Sequence, residues 1–523
     1  MLFTSPTFLF LLYPLALVAF YMLTPRFGAS FGLGLLLIVS LLFYTAWGSF
    51  YFLLLICSIT ANFASVYFLL TTPDEKRYRR LFLWLGLVYD FGTLFWFKYR
   101  WFVVSTFTSG TAHDFSVVDL AIPVGISFYT FQQAIFLVDA YYRDASVLAY
   151  LGDMRGLWAK LRAYVRHAFF VAFFPHLLIG PIIYLKEFQP QIANPTFGKV
   201  RRRNLEAGLT LIALGLFKKI VIADHLAPLA DLVFEVSHSH VALPAVTAWL
   251  GAMAYYAQLY FDFSGYSDMA LGTARGLGIR FPINFYSPLK AVGIMDFYRR
   301  WHMTLTRAIA RFFYIPLSLS GARAAQRWKL PKSSARILGQ WLPLLLNFEA
   351  IALWHNARTT FVLFGIFHGA WYIAESEARK TRGWKLWCSM TTDRTRAFLG
   401  RAVFFIPMLL SFALFRSSSV ADFFHLLAQM FGGMFTQSLH GLGLRYLGII
   451  VPAYGVLWLF PNSMEFLRRY RPGIPTYENR IYGWKPFLIA WRPSWLWAVA
   501  VGALTLVSLH YMGQQPLFLY LGF

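Results

Sequence analysis

The sequence predicts an all-α, polytopic membrane protein. Apolar residues make up 58% of it, charged residues only 13%, and apolar runs long enough to cross a bilayer recur from end to end. Mean hydropathy is +0.54. A soluble chain usually carries roughly 25% charge, so these 523 residues lack the polar surface that about three soluble domains of this total length need. The same balance excludes a disordered chain, a disulfide scaffold and an ordinary cytoplasmic enzyme. Only Cys57 and Cys388 are present, so neither a disulfide framework nor a cysteine-based zinc site is available.

The first apolar run, Phe8 to Leu23, has no Lys or Arg before it and leads into further runs, so it reads as a retained helix rather than a signal peptide. Others follow at Phe31 to Ala46, Tyr51 to Leu70, Leu81 to Phe97, Ile122 to Ala140, Tyr164 to Ile183, Leu205 to Ile222 and Pro244 to Phe263. After a polar interval come Trp341 to Leu353, Phe361 to Ile373, Val403 to Phe415, Phe423 to Phe435, Leu447 to Phe460 and Trp495 to His510. Several are too short or too polar to cross cleanly, which leaves about twelve crossings and some re-entrant or interfacial segments.

Lys and Arg total 47 against 23 acids, a net +24. In a membrane chain such a surplus belongs to cytoplasmic loops. The basic runs are short inserts between apolar spans, which excludes nucleic-acid binding as the leading use of the charge. Placing the Lys76–Arg80 loop inside puts the N-terminus on the periplasmic face, with the clusters Arg155 to Arg166, Lys199 to Arg203, Arg299 to Lys332, Arg379 to Lys385 and Arg468 to Lys485 in the cytoplasm. No repeat or linker divides the chain, so 1–523 reads as one membrane domain.

Ionisable groups inside apolar sequence are expensive to bury and are candidate functional residues. The stretch Tyr255 to Asp268 places Asp262, Ser264, Tyr266 and Asp268 at the end of a span, before an interval punctuated by Gly272, Gly276, Gly278, Pro282 and Pro288. On a continuous helix Asp262 and Asp268 are about 240° apart, whereas Asp262 and Tyr266 share a face and are positioned to hydrogen-bond. Such groups equally serve as polar stitches between helices. Asp296 to Thr306 is helix-compatible: His302 and Thr306 share a face, and Arg300, Arg307 and Arg311 are expected to reach water or lipid phosphates. His355 ends an apolar run, where an imidazole needs a partner or a task, with Glu349 and Asn347 as possible partners. His368 would lie ~20 Å from it on one unbroken helix. The pair His238 and His240 reads as a polar loop rather than a metal site. No nucleophile elbow, phosphate loop, zincin or dinucleotide motif occurs, and metal catalysis is not indicated.

Taken together, Ile122 to Thr130 (IPVGISFYT), Phe173 to Pro181 (FFPHLLIGP), Tyr260 to Asp268 (YFDFSGYSD), Arg299 to Leu305 (RRWHMTL), Phe313 to Leu317 (FYIPL), Leu353 to His355 and Phe367-His368-Gly369 resemble the membrane-bound O-acyltransferases. The alginate O-acetylase branch is the nearest likeness; the match runs in order from about residue 120 to 370, which implies a core over about 120–375 with additional transmembrane helices in 1–119 and 400–523. The resemblance implies a ring of helices around a tunnel or funnel, with His355 as the essential histidine and His302 as a second functional residue. It also implies substrate contacts from His368, Asp262, Ser264, Tyr266, Asp268, Arg300, Trp301 and Trp354. Asn356, Phe364, Phe312 and Glu349 depart from the family pattern.

The implied chemistry is transfer of an acetyl group from a cytoplasmic thioester, acetyl-CoA, with no bound cofactor. His355 acts as general base, a task suited to an imidazole whose unperturbed pKa is about 6.5. The acceptor is an exported polysaccharide such as alginate, or a periplasmic acetyltransferase partner, at a bacterial inner membrane. Other functions compatible with intramembrane acids and histidines are a transporter or flippase and a non-catalytic scaffold of a polysaccharide export complex.

Overall fold

A computed structural model describes residues 1–73, 76–107, 122–432, 442–476, 489–513 and 518–519. The expected span end at Phe435 and the last two basic residues of the expected cluster, Arg480 and Lys485, lie outside the described residues. Within them the secondary structure is helical, apart from a single parallel bridge between Pro282 and Ile474. Among the described residues, five helices are long and apolar enough to cross a membrane: Thr7–Phe27, Ser49–Thr71, Lys76–Val104, Lys332–His355 and Asp393–Arg416. Shorter apolar helices occupy Ala29–Thr45, Tyr446–Leu459 and Trp495–His510.

Two compact units organise the chain. The first comprises Met1–Ala213, Tyr266–Pro282 and Tyr470–Ile474. The helix Ile126–Tyr141 is buried on nearly all sides, and its two glutamines tie it to neighbouring segments: Gln133 donates to Ser58 Oγ at 2.8 Å, and Gln132 bonds both the carbonyl and the amide of Ile183. Asn62 donates to Asp90 Oδ2 at 2.8 Å across two neighbouring helices. These are the interhelical bonds that replace hydrophobic drive when the surroundings are as apolar as the helices.

Against the expected continuous span Tyr164 to Ile183, the helix Leu157–Ala172 stops at Phe173, and a single turn, Phe174–Leu177, follows. Pro175 has no N–H and restricts the residue before it, so the chain turns there. Gly180 lies so close to His176 that an added Cβ would fall 2.2 Å from its Cα.

The helix Ala245–Gly276 runs 32 residues, well past the expected end at Phe263, and contributes to both units. Gly272 is therefore not punctuation. A Cβ there would lie 2.6 Å from the carbonyl oxygen of Gly208, and one at Gly208 would lie 2.7 Å from that of Gly272. Each glycine lets its backbone touch the other, fixing the helix Arg202–Leu216 against the Tyr266–Gly276 half.

The second unit comprises Leu214–Gly265, Ile283–Arg469 and Pro475–Phe523. Its centre is a hairpin of Leu342–His355 and Thr359–Ala378. Asn356 and Arg358 are extended, which ends one helix and starts the next. The helices then pack closely: Cβ atoms at Gly365 and Gly369 would meet the Glu349 carboxylate and Leu345, each at 2.9 Å. The unbroken helix through His355 and His368 does not form.

Candidate active site

The stretch expected as one helix over Asp296 to Thr306 is two, Ile294–Tyr298 and Met303–Ile309, separated by a tight turn in which His302 takes φ +42°. A left-handed non-glycine residue is costly and persists only where its surroundings hold it. The holder is Asn284. Its Oδ1 accepts from His302 Nδ1 at 3.1 Å, from the Thr304 amide at 3.3 Å and from Thr304 Oγ1 at 3.1 Å. Three donors on one carbonyl oxygen fix the side-chain amide's orientation and place the neutral imidazole's proton on Nδ1, leaving Nε2 with the lone pair.

That turn carries His302, 2% exposed, to His355, 7% exposed. Their ring centroids are 6.3 Å apart, with the Trp354 indole 5.6 Å from the first and 5.0 Å from the second. Phe263 meets His302 edge-on at 4.7 Å, and Phe415 meets His355 at 5.2 Å. The imidazoles are thus walled by aromatic rings, in surroundings of low polarity where a positioned dipole or charge acts more strongly than in water.

His368 lies elsewhere on the hairpin. Tyr298 Oη is 2.7 Å from its Nδ1, and Phe364 stacks on its ring at 3.9 Å. Its Nε2 is buried, with no hydrogen-bond partner among the described residues. Phe364, one of the departures from the family resemblance, fills its position with this stacked ring. Phe364 also packs on Phe415 at 5.3 Å, so a train of rings joins the surroundings of His368 to those of His355.

Arg300 corrects the sequence reading. Only 1% exposed, it donates to Asp296 Oδ1 at 2.8 Å and to the Tyr286 carbonyl, and so reaches neither water nor lipid. An unpaired guanidinium could not be buried there, and Asp296, four residues earlier, supplies its charge partner. Trp301 stacks on Phe297 at 5.4 Å, next to that pair.

Asp262 has a partner that the sequence reading did not name. Lys219 Nζ lies 2.7 Å from Asp262 Oδ1 and 2.6 Å from Asp224 Oδ1, with all three side chains at least 95% buried. Lys219 reaches that point from a π-helical turn, Phe217–Ala223, of the kind that redirects side chains at special sites. Phe518 covers the ammonium with its ring centroid 4.7 Å away. A lysine inside the apolar run Leu205 to Ile222 was the signal in the sequence; Asn284 and Tyr298 gave none. Ser264 is buried in the same unit. Tyr266 and Asp268 are buried in the first unit, where Tyr266 stacks on Phe3 at 4.9 Å.

His238 and His240 are not an isolated loop pair. Asp422 Oδ2 lies 2.9 Å from His238 Nδ1, its Oδ1 lies 3.4 Å from His240 Nε2, and the His425 ring is 5.0 Å from that of His240. Among the described residues no group of three or more His, Cys, Asp or Glu is set to hold a metal ion.

Comparison with known proteins settles the class. Residues 164–420 match the MBOAT, membrane-bound O-acyltransferase family. The peptidoglycan O-acetyltransferase of Helicobacter pylori is 35% identical over 71% of this chain and 69% of its own length. The chain belongs to the MBOAT family. It is a multi-pass membrane O-acyltransferase. The probable alginate O-acetylase AlgI of Azotobacter vinelandii is also 35% identical, over 72% of this chain and 69% of its own length. A teichoic acid D-alanyltransferase of Streptococcus thermophilus is more distant, 28% identical over 47% of this chain and 60% of its own length.

Proposed function

We propose that this MBOAT chain is an O-acetyltransferase that carries an acetyl group from a cytoplasmic thioester donor, acetyl-CoA, to the hydroxyl of an exported polysaccharide or of a periplasmic relay partner. Alginate is the acceptor that the sequence resemblance favours. The likeness to a peptidoglycan O-acetyltransferase makes peptidoglycan an equal candidate, so the acceptor is proposed at the level of a glycan hydroxyl. The reading includes a ring of about twelve crossing helices around a tunnel, a periplasmic N-terminus and the inner membrane of a bacterium.

The observation that carries it is the approach of His302 and His355, 53 residues apart in sequence, to 6.3 Å between ring centroids. In the proposed step His355 removes the proton of the accepting hydroxyl, the oxygen attacks the thioester carbonyl, and the thiolate leaves carrying the bonding pair. The proton held by the imidazole is then available to that thiolate. Held by Asn284 through Nδ1, His302 in its protonated form donates from Nε2 to the acyl carbonyl, orienting it and stabilising charge developing on its oxygen. Trp354 lies beside both rings and shapes the space between them.

The test is acetyl transfer from labelled acetyl-CoA by the purified protein in vesicles with a glycan acceptor. His355→Ala should abolish transfer while leaving expression and membrane insertion intact. A variant with full activity would refute the role. Label that moves to alginate, to peptidoglycan fragments or to neither decides the acceptor.

A further inference from the structure

The nine-residue helix Arg382–Met390 plays no part in the proposed acyl transfer. At ~1.5 Å per residue it spans about 13 Å, too short for a hydrocarbon layer of roughly 30 Å. Its residues are sorted by face. Leu386 and Met390, four apart, project outward at 60% and 76% exposure, with exposed Arg382 and Lys385 beside them. Trp384, Trp387 and Cys388 turn the other way, into a cavity of about 490 Å³. Trp371, Phe404 and Val403 close its apolar side, and Arg379 and Arg396 lie among its polar lining together with the carboxylates of Glu375 and Asp393.

The placement of this helix matters. It immediately precedes Asp393–Arg416, a helix long and apolar enough to cross the membrane, whose Phe398 and Val403 are strongly exposed. Arg396 fastens the two together, donating to the carbonyls of Cys388 and Thr391 and pairing with Asp393. An amphipathic helix with an outward apolar strip, flanking cations and tryptophans, fixed at the end of a crossing helix, has the make-up of one lying in the membrane interface. From residue 375 to 401 the chain carries five arginines and two lysines against three acids, an excess of +4.

We propose that this helix and the cavity behind it form a seat for one anionic phospholipid. The headgroup phosphate lies at the start of the helix, between Arg379 on the cavity side and Arg382 and Lys385 on the outward side, and an acyl chain enters the cavity between Trp371, Trp387 and Phe404. The charge excess selects an anionic headgroup over a zwitterionic one. The cavity size is that of a specific small-molecule site, larger than a bare interfacial helix needs. Arg379, already paired with Glu375 at 2.6 Å and lying over Trp384 at 5.5 Å, borders the cavity in a fixed position and loses little freedom on binding.

Lipid retention by the full chain tests this independently of acetyl transfer. Purified into mild detergent and titrated by native mass spectrometry, the protein should retain phosphatidylglycerol and release phosphatidylcholine. Arg382→Gln with Lys385→Gln should weaken phosphatidylglycerol retention about thirtyfold, roughly fivefold for each neutralised cation. Lys160→Gln with Arg162→Gln, on an exposed face of the helix Leu157–Ala172, should leave it unchanged. Equal retention of both lipids, or unchanged retention in the first double variant, overturns the proposal. Should that variant fail to fold, phosphatidylglycerol with a photoreactive acyl chain reports on the wild-type protein: adducts concentrated between residues 384 and 404 support the seat, and adducts spread evenly over the lipid-facing helices overturn it.

Discussion

Asn284→Ala is the most informative perturbation of the proposed chemistry, because Asn284 contacts neither the acyl donor nor the acceptor in that scheme. It serves His302 Nδ1, the Thr304 amide and Thr304 Oγ1 with one oxygen, all within 3.3 Å. Removing that oxygen strands buried donors at about 1–3 kcal/mol each, less wherever water enters the space left behind. The folded protein absorbs part of this loss. What bears on rate is that His302 loses the bond that fixes its tautomer and its ring. If a misoriented imidazole forfeits about 1.4–2.8 kcal/mol of transition-state stabilisation, kcat falls roughly 10–100-fold. KM for the donor should change little, since no donor contact is removed. Steady-state transfer from labelled acetyl-CoA separates the two constants, and a thermal melt of the same preparation reports folding. Asn284→Asp keeps an oxygen acceptor and should recover much of the lost rate. A fully active Asn284→Ala variant would show that the His302 turn is only structural, as would a loss entirely in KM or one not restored by Asp.

Other expectations concern stability and the second histidine. Lys219→Met leaves Asp224 and Asp262 as buried carboxylates without their cation and should cost about 3–5 kcal/mol, read as a lower melting temperature; Lys219→Met with Asp224→Leu and Asp262→Leu should recover much of it. A single variant that melts like the wild type would refute the triad's structural role. Gly272→Val drives a side chain into the carbonyl of Gly208 and should destabilise by about 1–3 kcal/mol, whereas the same change at Gly502, where a Cβ meets nothing within 4 Å, should be nearly neutral. Equal melting of the two variants would refute the close helix approach. Tyr298→Phe removes the hydroxyl 2.7 Å from His368 Nδ1 and should cost about 1 kcal/mol of stability; if His368 acts only through packing, His368→Phe should retain transfer activity where His355→Phe loses it.

The class of this protein was legible in its residues because membrane insertion depends on composition and on runs of apolar residues, both local quantities. The histidines stood out for the same reason, since an imidazole in an apolar run is conspicuous without knowledge of its neighbours. Lys219 was equally visible, but its significance lies in Asp262, 43 residues away. Arg300 shows the converse limit: its charge suggested an exposed position, and Asp296 four residues earlier made a buried one tolerable.

Sequence alone determined that the chain is helical and membrane-embedded, which ionisable groups are costly to bury, and which family pattern they follow. Tertiary structure decided which of those groups meet: that His302 swings through a left-handed turn onto Asn284 and toward His355, that the chain reverses after His355, and that two acids share one lysine. Hydropathy is a property of each residue and sums along the chain. An orientation or a charge pairing is a property of two or more residues brought close in space, and only the folded backbone fixes their separation.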